Sequence, residues 1–161
     1  MKTPQRSTEE AWRRQAMALI DRQKTLVLAT SDQNHPWAAP VYYVHVRPAF
    51  YFFSSPRSKH IEQALANNAN SAALFSDADQ WQQIEGIQMV GRIKVVRKKM
   101  ELLRVTTHYL KKFPMAKSLL AGKENAEKRF SATVSLYAFQ PERVYYMNNR
   151  TGLGTRIELS L

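Results

Sequence analysis

Residues 36–65, PWAAPVYYVHVRPAFYFFSSPRSKHIEQAL, constrain the fold more than any other stretch of this 161-residue chain. Two segments, 37–46 and 50–53, are dense in aromatic and β-branched residues, and residues 47–49 lie between them, which is the pattern of two strands joined by a turn. Apolar residues then recur at helical spacing, with Ser58 in position to cap the new helix. The stretch therefore predicts two strands that lead directly into a short helix.

The start of this helix carries groups that bind anions. Three hydroxyl groups and two cations lie within six positions, on Ser54, Ser55, Arg57, Ser58 and Lys59. Free backbone N–H groups and the positive end of the helix dipole add to them, and together they suit a phosphate monoester. The same residue types also occur at many ordinary solvated helix starts. Spacing alone therefore leaves a phosphate site and a plain helix N-terminus both open.

The remaining sequence predicts a mainly β fold. Between residues 87 and 96, apolar or small residues occupy the odd positions, as in a half-buried strand, and Gly91 in the middle predicts a bend or bulge. A capping box at Ser7 and Glu10 predicts a first helix that ends near residue 21. Further short strands are predicted at residues 25–30, 71–75, 131–136 and 144–147, with a turn at Pro141 and Glu142 before the last of them. One long helix is predicted at residues 97–112. We expect one domain, residues 1–161, forming an antiparallel barrel with helices packed outside.

Several classes of protein and site are excluded by what the sequence lacks. There is no cysteine, which excludes disulfides, thiolate metal sites and cysteine nucleophiles. No G-x-G-x-x-G or G-x-x-x-x-G-K-[ST] motif occurs, and none of the four histidines has the spacing or the carboxylate neighbours of a metal site. The N-terminus lacks the apolar core of a signal peptide, and no apolar run approaches a membrane span, so we expect a cytoplasmic protein.

The charge is strongly positive. Lysine and arginine number 24 against 13 acidic residues, a formal net charge of +11 that attracts anions. Cations concentrate in the second half, at Lys94, Arg97, Lys98, Lys99, Arg104, Lys111, Lys112, Lys117, Lys123, Lys128 and Arg129. A basic nucleic-acid-binding barrel without enzymatic activity is therefore an alternative. Against it, the interleaved Tyr109 and Phe113 lie at the spacing of a helix core, and no RNA-recognition or helix-turn-helix signature occurs.

Three segments in order, LVLATSDQNHPWAAPVYYV, YFFSSPRSK and IQMVGRIKVV, resemble the pyridoxamine 5'-phosphate oxidase-like family of FMN-binding split barrels. The resemblance covers about residues 10–157. It implies a split β-barrel of antiparallel Greek-key type and a homodimer with FMN at the subunit interface. It also implies a flavin-dependent oxidoreductase that acts on a small substrate. Some relatives bind haem through a histidine, so haem held by His45 or His60 is the alternative cofactor.

The resemblance also implies which residues hold the phosphate end of FMN. Lys59 matches the phosphate-binding lysine of the family, whereas Ser58 stands where an arginine is common and Arg57 is displaced by one position. Phe53 and Ser54 would lie along the ribityl–phosphate portion. Ser55 belongs to the same strand–helix turn and completes this part of the predicted site.

Four further residues are implied for the flavin ring and its surroundings. The backbone of Pro40 and Val41 would face the isoalloxazine ring. Gln88 matches a glutamine that reaches the flavin in the vitamin B6 oxidases, and Arg156 falls near a C-terminal arginine that completes the site. The resemblance assigns no general acid or base.

The sequence also departs from the vitamin B6 oxidases. Where those enzymes carry an arginine and a lysine on the second strand, this chain has Ala39 and Val44, so one phosphate contact is lost. Their C-terminal substrate signature, an arginine–leucine–histidine–aspartate run, has no counterpart in RVYYMNNRTG. We therefore do not expect this protein to oxidise pyridoxamine phosphate.

Overall fold

The computed structural model describes residues 4–121 and 133–161 of the chain. The helices are α1 (Pro4–Arg22), α2 (Lys59–Ala66), α3 (Lys99–Lys112) and α4 (Ala116–Ala121), with one 3-10 turn at Trp81–Gln83. The strands are β1 (Thr25–Asp32), β2 (His35–Tyr42), β3 (Val44–Val46), β4 (Ala49–Ser54), β5 (Asn70–Phe75), β6 (Glu85–Val95), β7 (Ser135–Asn148) and β8 (Arg156–Leu159). No helix among the described residues is both long and apolar enough to cross a lipid bilayer.

All the strand pairs are antiparallel, and the strands form one sheet in the order β2-β1-β5-β6-β7-β4-β3, with β8 paired to β7. β2 and β3 lie at opposite ends of this order, yet Tyr43 alone separates them along the chain. The sheet must therefore curl until its two ends meet at Tyr43. The tyrosine is fully buried, and its hydroxyl donates to the Ile20 carbonyl at 2.6 Å. This architecture confirms the predicted mainly antiparallel split barrel with flanking helices.

Two apolar clusters stabilise the fold. The larger one fills the inside of the curled sheet, where the alternating strands β1, β5 and β6 meet buried residues of α1 such as Leu19 and Ile20. The second lies between β4 and β7 on one side and α3 on the other, around Val105, Tyr109 and Phe113. β4 is thus covered on both faces, which explains why its sequence, AFYFFS, is continuously apolar rather than alternating.

The predicted turn at Pro141 and Glu142 is wrong, because both residues lie inside the continuous strand β7. The register between β6 and β7 shifts between Val90 and Gly91, and Gly91 faces Pro141 there. A proline lacks the backbone N–H that a strand ladder needs, and a bulge is one of the few places where a sheet tolerates it. The irregularity that Gly91 predicted is therefore confirmed, and it is what accommodates the proline.

Other boundaries differ from the sequence prediction by smaller amounts. The segment 37–46 forms two strands with a break at Tyr43, so the hairpin is β3–β4 alone. The first helix begins at Pro4, before the predicted capping box, and the predicted 131–136 strand begins at Ser135, with residues 131 and 132 outside the described part of the chain. The C-terminal residues, which had no clear pattern, add the short strand β8.

We predict that Gly91→Ala destabilises the protein by about 1–3 kcal/mol, the usual cost of forcing extra volume into a packed site. A Cβ at this position would lie 2.2 Å from the Gln140 carbonyl oxygen, so backbone must move to admit it. Urea denaturation followed by circular dichroism measures the loss. Lys94→Ala, at an exposed position of the same strand, is the matched control and should change the unfolding midpoint little. An unchanged midpoint for Gly91→Ala would contradict the role given to the bulge.

Candidate functional site

A cavity of about 490 Å³ lies where the end of β2, the end of β4, the start of α2 and the last turn of α3 come together. Its volume is in the range of small-molecule and cofactor sites. The cavity is lined by Pro40, Val41, Tyr42, Phe53, Ser54, Ser55, Ser58, His60, Tyr109, Phe113, Met115, Ala116, Thr133 and Val134. Six of the residues predicted to bind cofactor are among them: Pro40, Val41, Phe53, Ser54, Ser55 and Ser58.

One wall of the cavity is aromatic. Tyr109 packs against Phe53 with ring centroids 5.0 Å apart and against Phe113 at 4.9 Å, and Phe113 meets Tyr42 edge-on at 5.3 Å. Burial raises the pKa of Tyr109 to about 12, so this hydroxyl stays protonated. Such a connected set of rings offers both faces and edges to a planar apolar ligand.

The opposite end of the cavity is polar, with a cluster of hydroxyl groups around His60. Ser54 Oγ lies 2.8 Å from His60 Nε2 and 3.0 Å from Ser58 Oγ, and the Ser58 hydroxyl donates to the Ser55 carbonyl at 2.7 Å. Because the Ser58 proton is used on that carbonyl, Ser54 must donate to Ser58. His60 Nε2–H must then donate to Ser54. The hydrogen-bond pattern therefore assigns the Nε2–H tautomer to His60.

The ionisation state of His60 agrees with this assignment. Burial lowers the pKa of His60 below its ordinary value, so the ring is neutral at pH 7. Its Nε2 is then a donor, and the lone pair lies on Nδ1. A neutral imidazole that already donates to Ser54 does not take up that hydroxyl's proton, so His60 does not act as a base for Ser54 in this arrangement.

The N-terminus of α2 borders this polar end. Ser58 occupies the predicted N-cap position with extended backbone, and its carbonyl accepts from the N–H groups of Ile61 and Glu62 at 2.9 and 3.0 Å. Its hydroxyl makes no cap bond and turns back towards Ser54 and Ser55 instead. The first N–H groups of a helix have no partner within the helix. Those of α2 thus lie beside the hydroxyl cluster.

The two predicted cations lie outside the cavity lining. Lys59 Nζ is 4.5 Å from the centre of the Trp37 ring, and the lysine lines a separate cleft with Asp32, His35 and Glu62 on the far side of α2. Arg57 is exposed on the loop before the helix. Within one chain, the groups that meet the cavity at its polar end are therefore neutral donors.

Gln88 and Arg156 meet each other, away from the cavity. Arg156 Nε donates to Gln88 Oε1 at 2.9 Å on the exposed side of the sheet. The register places Pro40, Val27, Ala73 and Gln88 in one row across β2, β1, β5 and β6. Three strand spacings separate Pro40 from Gln88, or about 14 Å. A single chain therefore does not bring Gln88 and Arg156 to the residues that line the cavity.

The two histidines considered for haem have different surroundings. His60 lines the cavity, whereas His45 packs on Phe50 with ring centroids 4.7 Å apart and does not line it. Burial lowers the pKa of His45, and its Nε2 is buried without a hydrogen-bond partner. His60 is thus the histidine placed to meet a cavity ligand.

Sequence reasoning missed Tyr109 and Phe113 as site residues, because their spacing marks them equally well as a helix core. Both are in fact buried, and they line the cavity from its inner side. The available signal was their position in the last turn of a helix that Pro114 ends. A position at the end of a helix identifies Phe113 as a site residue only once the structure shows that it packs against Tyr42 of β2 at the cavity.

The comparisons agree with this fold. A family model described as pyridoxamine 5'-phosphate oxidase matches residues 12–146. No curated protein matches the chain. A haem-binding protein from Mycobacterium smegmatis superposes with a TM-score of 0.70 at 17% identity over 94% of this chain, which spans only 57% of that protein.

Two further solved structures resemble the chain over most of their length. A FAD-binding protein from Mesorhizobium loti has a TM-score of 0.64 at 19% identity, covering 91% of this chain and 94% of its own. The haem storage protein of Vibrio cholerae has a TM-score of 0.66 at 19% identity, covering 81% and 91%. At these identities the structural likeness establishes the fold. The family match extends over most of the sequence, and the protein therefore belongs to the pyridoxamine 5'-phosphate oxidase-like family of split barrels.

Proposed function

We propose that this protein binds FMN in the cavity and uses it as a flavin-dependent oxidoreductase on a small substrate. The observation that carries the proposal is the division of the cavity into an aromatic wall and a polar end beside a helix N-terminus. FMN has the same division, with a planar apolar ring joined to a phosphate. The family match and the FAD-binding relative support a flavin.

The phosphate would lie at the start of α2. The hydroxyls of Ser54 and Ser58 can rotate their protons from the internal chain towards an anion, and His60 Nε2–H remains a donor. The α2 N–H groups add the helix-dipole contribution. Arg57 and Lys59 flank this helix start as exposed cations, where they raise the local positive potential and help to attract the anion.

The ring would lie against the end of β2. Backbone groups of Pro40 and Val41 border the cavity there, and Tyr42 and Phe113 provide the facing aromatic surface. Bound flavin supplies the hydride chemistry. The chain's own residues position the cofactor and keep water from its inner face.

A second copy of the chain would complete the site. The outward row that runs from Pro40 to Gln88 contains Val27 and Ala73. The next row consists of Ala38, Ala29, Ser71 and Val90, so the side chains of this sheet face are small and mostly apolar. A contiguous apolar face of this kind is typical of an interaction surface. We propose that two chains pair through it, which would bring the Gln88–Arg156 pair of one chain towards the cavity of the other.

Haem is the second candidate cofactor, favoured by the presence of His60 in an apolar cavity and by two haem proteins among the structural relatives. An iron ligand needs an unprotonated ring nitrogen. His60 Nε2 donates to Ser54, so iron would have to bind Nδ1 or break the hydroxyl chain. The observed network therefore favours an anionic oxygen group over iron at this end.

The nucleic-acid alternative has weaker support in the described residues. Tyr109 is 7% exposed and Phe113 is 3% exposed, and both line the cavity, so neither ring lies on an open surface along which the bases of a nucleic-acid strand could stack. Lys123, Lys128 and Arg129, which contribute to the basic second half, lie outside the described residues.

We predict that purified protein mixed with FMN and freed of excess ligand retains a flavin absorption spectrum, and that Ser58→Ala weakens binding by about 10-fold or more. The expected loss corresponds to one hydrogen bond to a charged group. Titration monitored by flavin fluorescence measures the affinity, and Ser160→Ala, at an exposed C-terminal serine, is the control. A colourless protein that ignores FMN would overturn the flavin proposal. A Soret band in place of a flavin spectrum would favour haem.

Binding of FMN should weaken as pH rises, through His60. Burial lowers the pKa of His60 in the free protein, and a bound phosphate anion must raise it, so the complex takes up a proton. The affinity gained by this proton is fully present below the pKa of the free protein and is lost as pH rises through the pKa of the complex. Titrations of FMN from pH 5 to 9 measure the effect.

The matched comparison for this prediction is His60→Asn, which keeps a donor but does not titrate. Riboflavin, which lacks the phosphate, is the second control. The phosphate itself titrates near pH 6, so the His60 contribution is the difference between the wild-type and His60→Asn curves. Identical curves would show that His60 does not bind the phosphate.

We predict that Ala73→Arg yields a monomer that loses bound FMN on gel filtration, whereas the wild type is a dimer that retains it. The arginine would place a charge at the centre of the apolar face. Light scattering coupled to gel filtration measures both mass and absorbance. Ala18→Arg, on the exposed side of α1, should leave both unchanged. A dimeric, FMN-bound Ala73→Arg variant would place the interface elsewhere.

A further inference from the structure

The outer face of α3 carries large apolar side chains that the described residues leave exposed. Met100 is 78% exposed and Leu103 is 64% exposed. At 3.6 residues per turn the two lie about one turn apart, on the side of the helix opposite Val105. Val105 and Tyr109 are buried against β4 and β7. α3 is thus apolar on the face that packs on the barrel and also on the N-terminal part of the face that meets solvent.

Lysines flank these apolar side chains. Met100, Leu103 and Thr107 form a row along the outer face of α3. Lys99 lies on one side of this row and Lys111 on the other, and both are exposed. None of the ion pairs formed among the described residues includes either lysine. The outer face therefore combines exposed apolar side chains with positive charge.

The distribution of charge along α3 favours an anionic partner. Glu101 is the one acidic residue in the helix, and it faces inward, where its carboxylate accepts from the Tyr51 hydroxyl at 2.8 Å. Lys98 and Lys99 stand at the N-terminus, where the helix dipole disfavours cations. Helix stability therefore does not explain these two lysines. An anion at this end would interact favourably with the lysines and with the dipole.

We propose that the outer face of α3 binds the surface of an anionic lipid bilayer, with Met100 and Leu103 inserted among the acyl chains. Aliphatic side chains bordered by lysines are typical of helices that lie in the plane of a membrane interface. The ammonium groups of Lys99 and Lys111 attract anionic head groups, while the methylene stems of these lysines stay at the apolar boundary.

Other occupants fit only part of this face. A symmetric contact with a second copy of the chain would bring the same lysines together, and like charges repel. A nucleic acid would neutralise the lysines, but Met100 and Leu103 offer no ring on which a base could stack. A lipid surface accommodates the aliphatic side chains and the positive charge together.

The proposal is tested by sedimenting the full-length protein with vesicles of phosphatidylcholine alone and with vesicles in which a third of the lipid is phosphatidylserine. We expect binding to the anionic vesicles that weakens as salt is raised, and much weaker binding to the neutral ones. Met100→Gln/Leu103→Gln and Lys99→Gln/Lys111→Gln should each weaken binding by about tenfold or more. Leu153→Gln, at a 74% exposed leucine on the turn before β8, is the control and should bind as the wild type does.

Unchanged vesicle binding by Met100→Gln/Leu103→Gln would overturn the proposal, as would a wild type that binds neither kind of vesicle. If that wild type is a dimer on gel filtration and Met100→Gln/Leu103→Gln is a monomer, the face belongs to a second copy of the chain. Circular dichroism of each variant verifies that it is folded.

Insertion itself is measured with a fluorescent label. The chain has no cysteine, so a single one can be introduced and labelled with an environment-sensitive dye. On anionic vesicles, the dye on Leu103→Cys should shift its emission to shorter wavelength and be quenched by lipids brominated on their acyl chains. The dye on Leu153→Cys should do neither. Equal quenching at both sites, or at neither, would contradict insertion of α3. Because no readout uses FMN, these results do not depend on the proposed cofactor.

Discussion

The closure of the sheet at Tyr43 is the constraint on which the rest of the structure depends. β2 and β3 belong to opposite ends of the strand order, and one residue joins them. The sheet can satisfy this connection only by curling completely, which brings β2 against β4. The cavity lies at that meeting, with Pro40 and Val41 from one strand and Phe53 and Ser54 from the other. The site is therefore a product of barrel closure and not of any local motif.

A second requirement is the cover that α3 provides. β4 and β7 bury their inner faces in the barrel core and their outer faces under Val105, Tyr109 and Phe113. The C-terminal end of α3 therefore contacts both the cavity and the point where the barrel closes. Tyr109 and Phe113 line the cavity, and Lys112 lies over the ring of Tyr43. Stability of the barrel and shape of the cavity are thus coupled through a single helical turn.

The local structure could largely be predicted from the sequence, and the site could be predicted in part. Alternation along β6 and the glycine at its centre predicted a strand with a bulge, because side-chain period and backbone freedom are local properties. The serines before α2 pointed to a polar helix start for the same reason. The strand that pairs with β6 at this bulge is β7, which lies far along the chain from Gly91. Pro141 therefore predicted a turn, although it lies within a strand opposite Gly91.

By itself, the sequence determined the strand-rich fold, the strand–helix turn and the set of polar groups placed there, since these follow from residue types within a few positions of one another. Only the tertiary structure decided which of those groups face the cavity. Ser54, Ser58 and His60 face the cavity, whereas Lys59 lies against Trp37. Gln88 pairs with Arg156 three strand spacings, or about 14 Å, from Pro40 at the cavity. The physical reason is that side-chain direction is set by helix rotation and strand register, and both depend on contacts between residues far apart in the chain.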